Sequence, residues 1–261
     1  MPSDARPAAT VVVLRDGPRG PEVFLVQRSA KSGFMPLAHV FPGGRVDPDD
    51  ALVPVIGGEQ DRGRLGCDDA TAYVVAAVRE TYEESGVLLA TGEPHDPTRT
   101  SLQNRQVSFG DAADQRGWVV DADALVYWSW WITPEVEPRR YDTRFFLAHV
   151  DREVSARHDD YETIDSAWWC VRDTLDAFDR GELVFAPPTW RTLWELQDFD
   201  SVTAAMSAGR ERRPVPIMPR GRLVDGCITV LLPGDPEFPS DQPVDGPTRH
   251  VLAEGRWFVR R

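Results

Sequence analysis

The chain has 261 residues, and 29 Lys plus Arg stand against 42 Asp plus Glu, a formal net charge of −13. That balance excludes a nucleic-acid binder held by bulk charge, while 41% apolar and 27% charged residues belong to a folded globular protein rather than a disordered one. At this length one core can bury most of the chain, so a main domain over 1–210 and a β-rich extension over 211–261 packed on it are expected. Cys67, Cys170 and Cys227 are too few and too widely spaced for a disulfide framework or a paired thiolate metal site. No stretch approaches the roughly 20 apolar residues that span a bilayer, and the N-terminus has no signal-like run. A cytoplasmic protein with neither membrane nor nucleic-acid partners follows.

Val11–Leu14 and Val23–Val26 are β-branched runs flanking the turn-rich 16–21, the pattern of a hairpin. A segment from Phe34 to Phe41 ends in the tight turn Pro42-Gly-Gly44. From about 47 to 67 the chain is rich in Gly, Pro and Asp without a period, which marks an inserted excursion. Helical spacing then starts after Asp68-Asp69, good N-cap residues, and runs to Ser85, with Gly86 placed as a C-terminal cap. Ala124–Ile132 and Thr143–Val150 are predicted neighbouring strands, Ser166–Val171 a further one. Arg172–Arg180 and Trp190–Met206 have helical spacing, with Pro187-Pro188 just before the second, and Pro214–Arg261 reads as a small β-rich tail. The order implies a mixed α/β fold.

At about 100° per residue, Glu80, Glu83 and Glu84 share one side of the 69–85 helix, and Val75, Val78 and Tyr82 the other. Carboxylates at i, i+3 and i+4 repel, and two of them lie in the last turn, where the helix dipole disfavours anions. A solvated acidic face is one reading of the spacing. A divalent cation over that face is the other, because it reverses the sign of each of those interactions and carboxylate oxygen is the hard ligand that Mg²⁺ or Mn²⁺ selects. Arg79, four residues before Glu83, is placed to hold that carboxylate.

Phe41-Pro-Gly-Gly44 followed by Arg79-Glu80-Thr-Tyr-Glu83-Glu84-Ser-Gly86-Val87 resembles the box of the Nudix hydrolases, G-x5-E-x7-R-E-U-x-E-E-x-G-U with U a bulky apolar residue. Gly44 and Arg79 are 35 positions apart where the plain pattern has 14, so about 21 residues are inserted. Counting back from Arg79 puts Thr71 at the first Glu and Thr81 at U, with Asp47 or Asp69 as substitutes for the missing acid. The insertion, together with Gln27-Arg-Ser29, Gly33-Phe-Met-Pro36, Ala38–Phe41, Trp128–Pro134 and Arg139–Phe146, is similar to the acyl-coenzyme A diphosphatase branch of that family.

The resemblance implies an α/β/α sandwich with a mixed sheet, here followed by a C-terminal helical segment and the β-rich tail. It also implies hydrolysis of a diphosphate in coenzyme A or acyl-coenzyme A to 3′,5′-adenosine bisphosphate and (acyl-)phosphopantetheine with Mg²⁺ or Mn²⁺. Glu83, Glu84, Glu80 and the Gly44 carbonyl would be metal ligands, Glu80 also the base candidate, Arg79 an orienting partner and Glu162 an additional base or ligand. Arg28, Arg139 and Arg140, at strand ends or in loops, can fork onto phosphate oxygens. His39 and the tryptophans Trp128, Trp130 and Trp131 are read as packing residues. ADP-ribose or another nucleoside diphosphate-linked substrate is the alternative, a non-catalytic nucleotide sensor the alternative of another class, and a homodimer is left open.

Overall fold

A computed structural model describes residues 5–31, 35–159, 163–253 and 255–260. The expected hairpin is present and longer than the apolar runs suggest. Strand β1 (Arg6–Gly17) pairs antiparallel with β2 (Gly20–Arg28), Leu14 opposite Val23. Short strands β3 (His39–Val40) and β4 (Gly43–Arg45) flank the Pro42 turn, β3 on β2 and β4 on β1. The excursion is structured in short pieces: a 3-10 turn Pro48–Leu52, β5 (Val55–Ile56) and helix α1 (Glu59–Arg64).

Helix α2 (Ala70–Ser85) ends where the sequence predicts. Gly86 adopts φ 74°, a left-handed conformation that costs glycine little. Asp69 occupies the N-cap position, but its side chain makes no capping hydrogen bond. Two helices that the sequence reading did not anticipate follow, α3 (Asp96–Gln103) and α4 (Phe109–Arg116). Strand β6 (Val120–Asp121) then pairs with β5, so the excursion is pinned to this later segment.

Strands β7 (Leu125–Ile132) and β8 (Tyr141–His149) are antiparallel neighbours, and β8 runs parallel to β1. Strand β9 (Thr163–Cys170) closes the other side on β2. Helices α5 (Val171–Arg180), α6 (Pro187–Leu196) and α7 (Val202–Glu211) follow. The single predicted helix over 190–206 is therefore two helices. Ser201 ends the link by capping Ala204 N–H, and Asp16 accepts from Val202 N–H, so a contact from β1 fixes the start of α7. Pro187 and Pro188 lie inside α6 at its first turn, where missing N–H groups cost nothing. Strand β10 (Pro216–Ile217) adds to β7, and β11 (Arg220–Val224), β12 (Cys227–Leu231), β13 (Arg249–Ala253) and β14 (Arg256–Arg260) form a separate antiparallel sheet.

The side-chain alternation of β1 shows the layering. Val11 and Val13 pack with Val75, Val78 and Tyr82 of α2, whereas Val12 and Leu14 pack with Leu175, Phe178, Trp190 and Leu193 of α5 and α6. A mixed sheet covered on both faces by helices is the expected α/β/α sandwich. The tail sheet shares the second core: Leu232 is buried in it, and Val230, Trp257 and Val259 pack against it. Trp128 and Trp131 are core residues, as expected, and the three cysteines are unpaired. Among the described residues no helix is long and apolar enough to cross a membrane.

Candidate active site

Strand β4 and helix α2 meet beside the first half of the central strand β1, because β4 pairs with it there, Gly43 opposite Thr10 and Gly44 opposite Ala9. A cleft of about 360 Å³ opens there. Its lining combines Arg28, Gly43, Gly44, Arg45, Glu80 and Glu84 with the apolar Val40, Phe41, Phe145, Ala186 and Pro188. Close approach of β4 to α2 requires glycine: a Cβ on Gly44 would stand 2.4 Å from Glu80 Cδ.

Arg79 organises the acids. It is buried, and its guanidinium donates to both carboxylate oxygens of Asp50 at 2.9 Å, to Glu80 Oε1 at 2.7 Å and to the Arg45 carbonyl at 2.8 Å. Glu83 Oε1 and Asp47 stand farther off, at 3.6 and 3.7 Å. This arrangement corrects the reading of the missing acid. Asp50 lies six residues after Gly44, the box spacing counted forward, so the insertion follows the acid rather than preceding it. Thr71 is in the first turn of α2, and Asp69 is about 15 Å from Arg79 along the helix axis. Asp50 is 2% exposed, and its Oδ2 also accepts from Asp47 N–H at 2.7 Å. Asp47 is thus the outer partner of the pair rather than the substitute.

The remaining carboxylates are held one by one. Glu84 Oε2 accepts from Gly43 N–H at 3.0 Å, which ties the end of α2 to the glycine turn. Burial pushes the Glu80 carboxyl above its ordinary value against the opposing charge of Arg79. Burial pushes Glu83 up to about 7, with the Glu80 charge adding to the shift and Arg79 opposing it. Among the described residues no three acids, histidines or cysteines converge into a ready cage. The donor set nevertheless fits a hard divalent cation: clustered carboxylates whose mutual repulsion it would relieve, beside a glycine turn with no side chain in the way.

Of the other predicted residues, Arg28 closes β2 and faces the cleft. Arg139 and Arg140 do not line it: Arg139 is exposed, and Arg140 donates to the Thr133 carbonyl at 3.0 Å. Their neighbours Tyr141 and Thr143 do line it. Glu162 and the Gly33-Phe34 part of the flanking motif lie outside the described residues. His39 is a packing residue, its Nδ1 accepting from Val184 N–H at 3.2 Å and its ring edge-on to Phe185. Sequence reasoning missed Asp50 and Arg45. Counting forward from Gly44 would have found the first.

A family model for the NUDT19 Nudix domain matches residues 53–196. A chicken (Gallus gallus) protein named acyl-coenzyme A diphosphatase NUDT19 is 30% identical over 297 residues, covering 91% of this chain and 78% of its own length. The human protein of that name is 25% identical over 322 residues, covering 98% of this chain and 84% of its own. The crystal structure of a NUDIX hydrolase from Alicyclobacillus acidocaldarius superposes with a TM-score of 0.67 at 32% identity, over 78% of this chain and 96% of that one. With the Asp50–Arg79 pair, the glutamates of α2 and the covering helices in place, the chain belongs to the Nudix hydrolases, in the NUDT19 branch, and is an enzyme of the diphosphatase kind.

Proposed function

We propose that the enzyme hydrolyses the diphosphate of coenzyme A or acyl-coenzyme A to 3′,5′-adenosine bisphosphate and (acyl-)phosphopantetheine, with Mg²⁺ or Mn²⁺ as cofactor. The observation that carries this reading is the mixed lining of the cleft: arginines and glutamates, and with them the apolar Phe41, Phe145, Ala186 and Pro188. A diphosphate suits the first and an apolar arm the second. The α6 wall adds to the contrast. Pro187 and Pro188 remove two of the N–H groups with which a helix start binds anions, leaving that end apolar.

Glu83, Glu84, Glu80 and the Gly44 carbonyl are the proposed cation ligands. A divalent cation bound there neutralises phosphate charge and lowers the pKa of a bound water. Arg28 forks onto the phosphate oxygens and orients the diphosphate. The water oxygen bonds to one phosphorus, the bond from that phosphorus to the bridging oxygen breaks, and the other phosphate leaves with the bridging oxygen. Glu80, made more basic by burial, takes the water's proton. Arg79 holds Glu80 and is itself fixed by Asp50, so it acts by orientation.

The test is incubation with coenzyme A, an acyl-coenzyme A and ADP-ribose, each with Mg²⁺ or Mn²⁺, with products resolved by chromatography. The expected result is 3′,5′-adenosine bisphosphate from the first two. Turnover of ADP-ribose alone would overturn the substrate assignment, and full turnover by Glu84→Gln would overturn the ligand assignment.

A further inference from the structure

The last turn of an α-helix leaves backbone carbonyls without intrahelical donors, and in α2 that turn carries Glu83 and Glu84. Two side chains of α3 converge on one of those carbonyls. Arg99 Nε donates to the Glu83 carbonyl oxygen at 3.0 Å, and Gln103 Nε2 donates to the same oxygen at 2.7 Å. Residues 99 and 103 are i and i+4, so one face of α3 presents both donors. Arg99 is 4% exposed, and its Nη2 donates to the Arg157 carbonyl at 3.1 Å. Arg157 N–H in turn donates to the Ser85 carbonyl at 2.9 Å. A Cβ on Gly86 would stand 3.1 Å from Arg99 Nη1, so the guanidinium fills the space that the glycine cap leaves open.

We propose that Arg99 and Gln103 are positioning residues for the reaction, which clamp the Glu83 peptide and thereby hold the Glu83 and Glu84 carboxylates in register with Gly43 and Gly44. An end cap needs one donor per carbonyl. Here a buried cation and an amide are spent on a single acceptor, the carbonyl of a residue whose side chain faces the opposite task. Both lone pairs of that oxygen are engaged, which fixes the tilt of the peptide as well as its location. The glutamates are also tied from the other side, through Glu84 Oε2 and Gly43 N–H, so the last turn of α2 is held between α3 and β4. Neither Arg99 nor Gln103 lines the cleft, so their effect passes through the backbone.

The inference rests on the cation-binding role proposed for Glu83 and Glu84, and the experiment separates the two. Mn²⁺ alone is titrated calorimetrically into the wild-type protein, Arg99→Met, Arg99→Lys and Gln103→Leu, well below each unfolding temperature. Arg99→Met and Gln103→Leu are expected to weaken Mn²⁺ binding by about 10- to 100-fold, as loss of a group that orients a ligand does. Arg99→Lys, which restores a cationic donor, should recover part of that loss. At saturating Mn²⁺ the KM for coenzyme A should stay within about twofold of wild type, because substrate contacts are untouched. Gln103 is only half-buried, so Gln103→Leu decides the matter if Arg99→Met fails to fold. Folded variants with a lowered Tm but wild-type Mn²⁺ affinity would overturn the clamp and leave the proposed function standing. Absence of Mn²⁺ uptake by the wild-type protein would overturn the cation-binding role beneath it.

Discussion

Replacing Asp50 by Asn tests whether the insertion really follows the acid of the box. Asp50 and Arg79 are 2% and 6% exposed and joined by two hydrogen bonds of 2.9 Å. Removing one partner of a buried pair typically costs about 3–5 kcal/mol, because a charge is left uncompensated. Arg79 keeps Glu80, the Arg45 carbonyl and the more distant Asp47, so the lower end applies. A loss of ~3 kcal/mol lowers the melting temperature by roughly 6–12 °C in a chain of this size. Urea unfolding followed by fluorescence reads the stability, with the slope checked for change. Activity should fall as well, since Arg79 freed from Asp50 swings toward Glu80 and Glu83 and competes with the cation. Asp50→Glu, which restores the carboxylate that the box prescribes, should recover more activity than Asp50→Asn. An Asp50→Asn protein within about 0.5 kcal/mol of wild type, with undiminished kcat, would refute this account of the pair.

Gly44→Ala should lower both stability and kcat, because the new methyl meets the Glu80 carboxylate that Arg79 holds and must push it off that hydrogen bond; a far-ultraviolet melt beside a coenzyme A assay reads the two effects. With Glu83 pushed up to about 7, the cation must displace a proton below that pH, so Mn²⁺ affinity should rise as pH increases from 6 to 8 and level off above, a dependence that Glu83→Gln should weaken in calorimetry. In metal-free protein the same shift acts on stability in the opposite sense. The folded state binds the extra proton, so stability from Glu83 is lost as pH rises from about 4.3 to 7, by up to ~3 kcal/mol, and melts in a chelator against Glu83→Gln should show it. His250 is buried edge-on to Trp190, and burial holds its pKa at about 3. The unfolded chain takes up that proton near 6.5, so stability falls with pH below it, by ~2 kcal/mol at pH 5; His250→Leu should remove that part of the acid sensitivity in melts at pH 5 and 7.5.

Long apolar periods were the legible part of the fold. The β1–β2 hairpin, α2 with its Gly86 cap, and β7 beside β8 follow from residues whose burial leaves no alternative face. Helices α3 and α4 were not legible because they are eight residues each, polar, and cover the core with few side chains, Leu102 and Phe109 among them. Their signals are local caps: Ser108 accepts from Asp111 N–H, and His95 from Thr98 N–H. The break between α6 and α7 has no glycine or proline to announce it. It depends on Asp16, 186 residues away in sequence, and that kind of tertiary contact is invisible to periodicity.

The site follows the same division. Glu80, Glu83 and Glu84 could be placed on one side of α2 from spacing alone, since a helix is rigid over five residues. Asp50 could not be placed by counting back through the inserted segment, because a count across a loop carries no geometry. A physical constraint would have located it. Arg79 sits next to Val78 near the core side of α2, and a guanidinium buried there without a carboxylate costs several kcal/mol. The acid that compensates it has to come from the chain that passes nearest, and β4 passes there because its glycines let it approach α2. The six residues from Gly44 to Asp50 are short enough to keep the carboxylate at that crossing, whereas everything inserted after Leu52 is free to leave it and return through β5 and α1.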